Sequence, residues 1–190
     1  YADDIGGRSF KLPVPVPEYF QFKQMKHRRE SIADLVNWVT YDNATVREKA
    51  RHLTYDFDSP EAKAQELLDF VHAHLYDASI EPHEDYVRYP LETMVERNCD
   101  CEDLTILGAA LMKSIGLDVA LIHFPPARMG EDGHLGLGVN GNFSGTYFEV
   151  NGQKYFYAET TGTMWLTQRS ASKIGEMPPH YLDRKVELYI

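Results

Sequence analysis

The order of helical and strand-like patterns along the chain is the feature that most constrains its fold. The most regular helical pattern starts at Cys101, repeats apolar residues at helical spacing from Leu104 to Ile115, and ends at Gly116, a typical helix cap. Segments typical of strands follow it, at residues 119–124, 134–139, 146–150, 154–159 and 186–189. The sequence therefore predicts an α+β fold in which the Cys101 helix packs on an antiparallel sheet.

The three middle strands are expected to form a meander with two short turns. Asn151-Gly152 is a strong signal for a two-residue hairpin, and residues 140–142 form the other turn. If the strand that starts at His134 and the strand that ends at Glu159 are antiparallel neighbours, these two residues lie at the same rim of the sheet.

The first 100 residues carry weaker patterns. Pro13, Pro15 and Pro17 predict that residues 1–17 form an extended arm, because proline disfavours helices and central strands. An irregular loop is predicted at residues 79–89. N-terminal helices are predicted over residues 31–39, 45–53, 60–75 and 91–96.

Composition argues against several classes of protein. The chain has 19 Lys and Arg against 29 Asp and Glu, a formal net charge of −10, so its surface repels nucleic-acid phosphates. The basic run from Lys23 to Arg29 is interpreted as a solvated helix face. No apolar stretch reaches the roughly 18 residues of a transmembrane helix. We therefore expect no nucleic-acid partner and no membrane span in this chain.

The chain starts at Tyr1, without Met and without a charged and apolar leader. This start is consistent with a processed or shortened protein. An extracytoplasmic location, or a membrane anchor in a missing N-terminal segment, is left open, and so is the oligomeric state.

Cys101 is the candidate nucleophile. It lies one helical turn before Leu104 on the apolar stripe, so its sulfur is expected to face the protein body at the positive end of the helix dipole. Cys99 is too close in sequence for an unstrained disulfide and is interpreted as a spectator or redox partner. His134 as base and Glu159 as orienting carboxylate complete a Cys-His-acid order. The alternatives are an inert buried thiol, a surface histidine and a rim carboxylate.

Three acidic residues surround the candidate nucleophile. Asp100, Glu102 and Asp103 carry like charge, which raises a thiol pKa unless the His134 imidazolium, the helix dipole or a bound cation offsets it. One hypothesis is a calcium ion held by Asp100 and Glu102. The alternative is that the acids cap the helix and meet solvent or basic residues such as Arg97. No cofactor is required in that case.

These motifs resemble the transglutaminase-like superfamily of papain-type cysteine enzymes, most closely its bacterial and archaeal members. The shared pattern spans residues 60–180 and includes an acid-flanked Cys101, a helix ending in Ile115-Gly116, His134 at the start of a strand, and Glu159-Thr160-Thr161. Segments 88–93 and 174–178 also look like the prokaryotic members. The chain departs from the family in having Glu where Asp is commoner, and Asn98-Cys99 where a Gly-rich lead-in is frequent.

The resemblance implies one transglutaminase-like domain over residues 1–190, with a papain-like catalytic core at 60–190 and the triad Cys101, His134 and Glu159. Some bacterial transglutaminase-like proteinases have calcium ligands beside the nucleophile, which bears on Asp100 and Glu102. The implied activity is thiol acyl transfer on peptide or glutamine amide bonds of a protein or peptide substrate. Hydrolysis is favoured, since no sequence feature indicates a lysine-binding site. The alternatives are protein-glutamine crosslinking and a non-catalytic protein-binding module on the same fold.

Overall fold

A computed structural model of the protein describes residues 2–5, 8–11, 13–73, 86–96, 99–128, 130, 132–161 and 172–190. The α-helices in this part of the chain are α1 (Val16–Lys23), α2 (Ala44–Leu53), α3 (Pro60–His72), α4 (Pro90–Glu96) and α5 (Cys101–Ser114). The strands are β1 (Ala2–Ile5), β2 (Arg8–Lys11), β3 (Val119–Phe124), β4 (His134–Asn140), β5 (Tyr147–Val150), β6 (Gln153–Ala158) and β7 (Glu187–Tyr189). Two short 3-10 helices span Ile32–Trp38 and Pro179–Tyr181. The fold is α+β, as the sequence predicts, and α5 packs on β3 and β4.

The helices begin and end where the sequence provides caps. Ser59 Oγ accepts the Ala62 backbone N–H at 3.1 Å and caps α3, which begins at residue 60 as predicted. The helix ends at His72, before the predicted end at Leu75, a residue outside the described part of the chain. Gly116 follows α5 with a φ of 89°, a left-handed conformation that glycine adopts freely. None of the described helices has the length and apolar character needed to cross a membrane.

Five strands form one antiparallel sheet in the order β5-β6-β4-β3-β7. The predicted meander is wrong, because β4 pairs with β6 and not with β5. The Asn151-Gly152 turn, with φ of 52° and 78°, makes β5 and β6 neighbours, as its hairpin signal indicates. The connection at residues 141–146 then crosses β6, a distance of about 10 Å that a segment of this length can span.

The two faces of the sheet contact different parts of the molecule. The face toward α5 belongs to the main core and includes the buried residues Leu121, Leu135, Leu137 and Val139. The opposite face carries a smaller buried cluster of Ile122, Phe124 and Tyr157. The C-terminal segment covers that cluster with Met177, Tyr181, Val186 and Leu188. His134 pairs with Phe124 in the β3–β4 register and therefore belongs to this second face.

The N-terminal residues do not form the predicted extended arm. β1 and β2 pair in antiparallel register, with Ala2 opposite Lys11. α1 begins at Val16, so Pro17 lies in its first turn. The prediction failed because proline is tolerated in a first helical turn, where its missing N–H would have no acceptor within the helix.

The basic run is not simply a solvated helix face. Lys23 Nζ lies 2.9 Å from a carboxylate oxygen of Glu96 on α4. Arg29 binds Glu102 on α5 at 2.9 and 3.1 Å. The interpretation from charge alone missed these partners, which come from segments more than 70 residues away in sequence. Part of the run therefore attaches the N-terminal segment to α4 and α5.

Candidate active site

Cys101 is the first residue of α5. Asp100 is the N-cap of this helix, and its Oδ1 accepts the Asp103 backbone N–H at 2.9 Å. The Cys101 side chain is partly buried and packs against the main core, as expected from its place on the apolar stripe. The sulfur thus lies at the positive end of a 14-residue helix, where the dipole favours a thiolate.

The start of α5 is bonded to the start of β4 through Leu135. Thr105 Oγ1 donates to the Leu135 carbonyl at 3.0 Å, and the Leu135 backbone N–H lies close enough to the Cys101 thiol to lower its pKa. These groups lie beyond the β4–β6 ladder, whose last pair in this direction is Leu137 with Ala158. Thr105 of α5 therefore supplies the Leu135 carbonyl with a hydrogen-bond donor that a neighbouring strand would otherwise provide. The thiol is thereby placed beside the residue that directly follows His134.

His134 and Glu159 meet at the rim of the sheet. His134 Nε2 lies 3.1 Å from Glu159 Oε2, and the Tyr157 hydroxyl donates to the same oxygen at 2.7 Å. Glu159 Oε1 accepts the Thr161 backbone N–H at 3.0 Å and the Thr161 hydroxyl at 2.8 Å. The carboxylate is buried and both of its oxygens are engaged. The structure thus brings the predicted base and acid together and holds the acid rigidly.

The electrostatics of the site shift the pKa values of Glu159 and Cys101 in opposite directions. Burial opposes ionisation of Glu159, but hydrogen bonds from His134, Tyr157 and Thr161 outweigh it and lower the pKa of this carboxyl to about 2. An ionised Glu159 favours the His134 tautomer with a proton on Nε2, which leaves a lone pair on Nδ1. Burial and the Asp100 carboxylate raise the pKa of Cys101, and the Leu135 N–H offsets this only in part. The resting thiol is therefore neutral and needs a base.

Aromatic rings hold the plane of the His134 imidazole. The Tyr181 ring is stacked on it, with centroids 4.8 Å apart and planes 8° from parallel. Phe124 lies 6.2 Å from His134 and 4.7 Å from Tyr181. Sequence reasoning missed Tyr181, because the neighbouring Pro178-Pro179 indicates a turn and assigns Tyr181 no role. The C-terminal segment thus contributes directly to the candidate site.

The acids around Cys101 have protein partners. Glu102 is bound by both guanidinium donors of Arg29 described above. Asp103 is fully buried and accepts the Arg88 backbone N–H at 2.9 Å and its guanidinium at 2.6 Å. Burial and Asp100 raise the pKa of Asp103, whereas Arg88 favours the charged form. The helix-capping alternative therefore describes Asp100, and Arg29 supplies the basic partner; Arg97 lies outside the described residues.

The calcium hypothesis gains no support from this geometry. Asp100 accepts a helix N–H and Glu102 is bound by Arg29, so neither carboxylate is directed to an ion. Within the described ranges, no group of three or more His, Cys, Asp or Glu residues is arranged to hold a metal. Calcium needs about 6 to 8 oxygen ligands, which two engaged carboxylates do not supply. The site at Asp100 and Glu102 stays an untested prediction.

Arg88 is a second residue whose role the sequence did not reveal. Its Nε donates to Glu96 at 2.8 Å, while its Nη1 donates to Asp103 on α5 at 2.6 Å. Glu96 also accepts the Tyr19 hydroxyl and lies 2.9 Å from Lys23, both on α1. The signal in the sequence was the resemblance of segment 88–93, which assigned it no contact. This charged network joins α1, α4 and the nucleophile helix.

Two further residues, Cys99 and His72, contact segments of the candidate site but do not belong to the His134–Glu159 pair. Cys99 is buried, its thiol faces the Thr93 carbonyl at 3.9 Å, and burial raises its pKa. This environment fits a spectator. His72, at the end of α3, has Nε2 2.6 Å from the Glu159 backbone carbonyl. It therefore supports the segment that carries the acid.

Comparisons with known proteins give little on identity. No family model matches the sequence, and no curated protein matches it. One similar solved structure is a candidate cysteine protease from Cytophaga hutchinsonii, with 13% identity and a TM-score of 0.48. The match covers 73% of this chain and 47% of the other, so the chain spans about half the length of that protein.

Proposed function

We propose that the protein is a thiol acyl-transfer enzyme of the papain-type, transglutaminase-like class. The observation that carries the proposal is the hydrogen-bonded His134–Glu159 pair at the start of β4, because the next residue, Leu135, and Glu159 itself both act on the pKa of the Cys101 thiol. Cysteine nucleophiles need an adjacent base and a third group that orients that base. The site offers each of these groups on a separate element: α5, β4 and the end of β6.

In the proposed reaction, Cys101 Sγ attacks the carbonyl carbon of a peptide bond or a glutamine side-chain amide. His134 Nδ1 takes the thiol proton, and the ionised Glu159 stabilises the resulting imidazolium. When the C–N bond breaks, His134 returns the proton to the leaving amine or ammonia, and a thioester remains on Cys101. Attack by water on the thioester releases an acid, whereas attack by a primary amine forms a new amide.

The start of α5 also suits the tetrahedral intermediate. Backbone N–H groups in a first helical turn have no acceptor within the helix, and the dipole favours negative charge there. The Cys101 backbone N–H is at this position and is the proposed donor to the oxyanion. The nucleophile and one stabilising donor thus belong to the same residue.

Hydrolysis is the proposed outcome. A crosslinking enzyme must also attract a lysine amine, for which acidic side chains beside the nucleophile would be suited. Here Asp100 caps a helix, while Glu102 and Asp103 are bound by arginines. The acids next to Cys101 therefore have structural partners, which favours water over a lysine as acceptor.

Alkylation kinetics test the proposal and separate an enzyme from a non-catalytic module. We expect iodoacetamide to modify one fast-reacting thiol, which Cys101→Ala removes and the control Cys99→Ala retains. His134→Ala should slow modification of Cys101 by about 100-fold, the lower end of general-base effects. The rate should also rise with pH above neutral, since burial and nearby carboxylates raise the pKa of Cys101. A Cys101 that reacts equally well without His134 would contradict the proposal.

A further inference from the structure

Tyr157 lies inside the smaller buried cluster, yet its hydroxyl reaches the acid–base pair. The hydroxyl donates to Glu159 Oε2 at 2.7 Å and lies 3.4 Å from His134 Nε2. His134 Nε2 approaches the same carboxylate oxygen at 3.1 Å. Glu159 Oε2 is therefore in hydrogen-bond contact with both the imidazole and the phenol, and the three side chains form a closed triangle.

The neighbouring strand leaves room for the Tyr157 ring at Gly136. A Cβ at Gly136 would lie 2.7 Å from Tyr157 Cε2 and 3.2 Å from its hydroxyl oxygen. Carbon atoms do not approach that closely, so any larger residue would displace the ring. Phe124 packs against the ring edge-to-face, with centroids 5.8 Å apart. The place of the hydroxyl therefore depends on a glycine in the strand that carries His134.

The phenol stays protonated in this environment. Burial and the Glu159 carboxylate raise the pKa of Tyr157 well above its usual value. Other titratable groups that act on it come from separate elements: Tyr181 of the C-terminal 3-10 helix and Cys101 of α5. A protonated phenol beside a carboxylate donates a hydrogen bond to that carboxylate. Because His134 carries its own proton on Nε2, this nitrogen cannot accept a hydrogen bond from the phenol.

We propose that Tyr157 is a positioning residue for the His134–Glu159 pair. Its hydroxyl and His134 Nε2 share Glu159 Oε2, which fixes the carboxylate oxygen to which the imidazole is bonded and so directs Nδ1 toward Cys101. The phenol also moderates the attraction between the carboxylate and an imidazolium, because a neutral donor makes the carboxylate less basic. The catalytic meaning of this role rests on the proposed function, whereas the contacts do not.

Tyr157→Phe is the test variant, because it keeps the ring that packs on Phe124 and removes only the hydroxyl. Tyr155→Phe is a matched control: Tyr155 is two residues earlier on β6, is 2% exposed, and donates to Asp118 at 3.0 Å. The readouts are the NMR titration of His134, assigned with a His134→Asn variant, and kcat and KM. We expect Tyr157→Phe to raise the His134 titration midpoint by about 0.5 to 1 pH unit. It should lower kcat about tenfold with KM unchanged, while the control changes neither.

An unchanged His134 titration in folded Tyr157→Phe would overturn the inference. Gly136→Ala gives a second approach, since it displaces the ring while keeping the hydroxyl, and it should shift the midpoint in the same direction. If the wild-type protein shows no turnover, the proposed function fails, and the titration still decides the role of Tyr157. If the wild type turns over and Tyr157→Phe matches it in both readouts, the inference alone fails.

Discussion

Glu159→Gln tests whether the buried carboxylate is held as an anion by its donors. Glu159 accepts His134 Nε2 and the Tyr157 hydroxyl on one oxygen, and two donors of Thr161 on the other. A glutamine keeps one acceptor oxygen and places an NH2 donor where the other oxygen was. Two of the four donors therefore lose their acceptor and face another donor.

Two physical arguments give a similar cost. A hydrogen bond to a charged group contributes about 1.5 to 3 kcal/mol, so the loss of two predicts about 3 to 6 kcal/mol. Independently, a Glu159 pKa of about 2 in place of 4.5 corresponds to about 3 kcal/mol in favour of the ionised folded state. We expect Glu159→Gln to lower the free energy of unfolding by about 3 kcal/mol at neutral pH.

The loss should depend on pH in a defined direction. Because the folded pKa lies below the unfolded value, the stabilisation is fully present above pH 4.5 and is lost as pH falls toward 2. Urea unfolding of wild type and Glu159→Gln, from neutral pH to about pH 3, measures the difference, which should be constant above about pH 5 and shrink below it. Glu30→Gln, at an exposed carboxylate, is the control and should show no such difference. A difference below about 1 kcal/mol at neutral pH, or one that does not change in acid, would contradict a Glu159 carboxylate held as an anion.

Three other changes have expected outcomes. Arg88→Ala leaves Asp103 buried without its guanidinium and should lower the free energy of unfolding by about 3 to 5 kcal/mol in urea, whereas the exposed control Lys185→Ala should leave it near wild type. A loss no larger than in the control would contradict the buried pair. Tyr181→Leu removes the ring stacked on His134 and should slow alkylation of Cys101 severalfold with little change in Tm; an unchanged rate would argue against the stacking contact. EGTA and added calcium should leave Tm and the alkylation rate unchanged, and a calcium-dependent rise in either would support the metal hypothesis.

Local sequence signals predicted the elements closest to the site. The apolar spacing after Cys101, the Gly116 cap and the Asn151-Gly152 turn each act over a few residues, and the structure has α5 and the β5–β6 hairpin where they indicate. His134 starts β4, as its strand pattern predicted, and β6 ends at Ala158, one residue before the predicted end at Glu159. The placement of His134 and Glu159 at the same rim of the sheet was predictable because it required only one antiparallel strand pairing.

Features set by long-range contacts were not predictable in the same way. The order of β4, β5 and β6 depends on which edge of the hairpin β4 joins, and the turn signals at residues 140–142 and Asn151-Gly152 do not distinguish the two edges. The Arg88–Asp103 pair and the Tyr181 stack join residues from separate elements and leave no periodic pattern. Gly136 gave no signal either, since its role is to leave space for a ring from another strand. The start of α5 and the approximate ends of the strands could therefore be predicted from the sequence, whereas the groups that hold the His134 imidazole could not.

The most direct test of the account is to trap an acyl group on Cys101. The protein is incubated with a library of glutamine-containing peptides, quenched in acid, digested and examined by mass spectrometry. We expect an acyl thioester on the digest fragment that contains Cys101, present in Cys99→Ala and absent in Cys101→Ala and His134→Ala. Consumption of substrate with the adduct on Cys99, or with the same turnover in Cys101→Ala, would contradict Cys101 as the nucleophile.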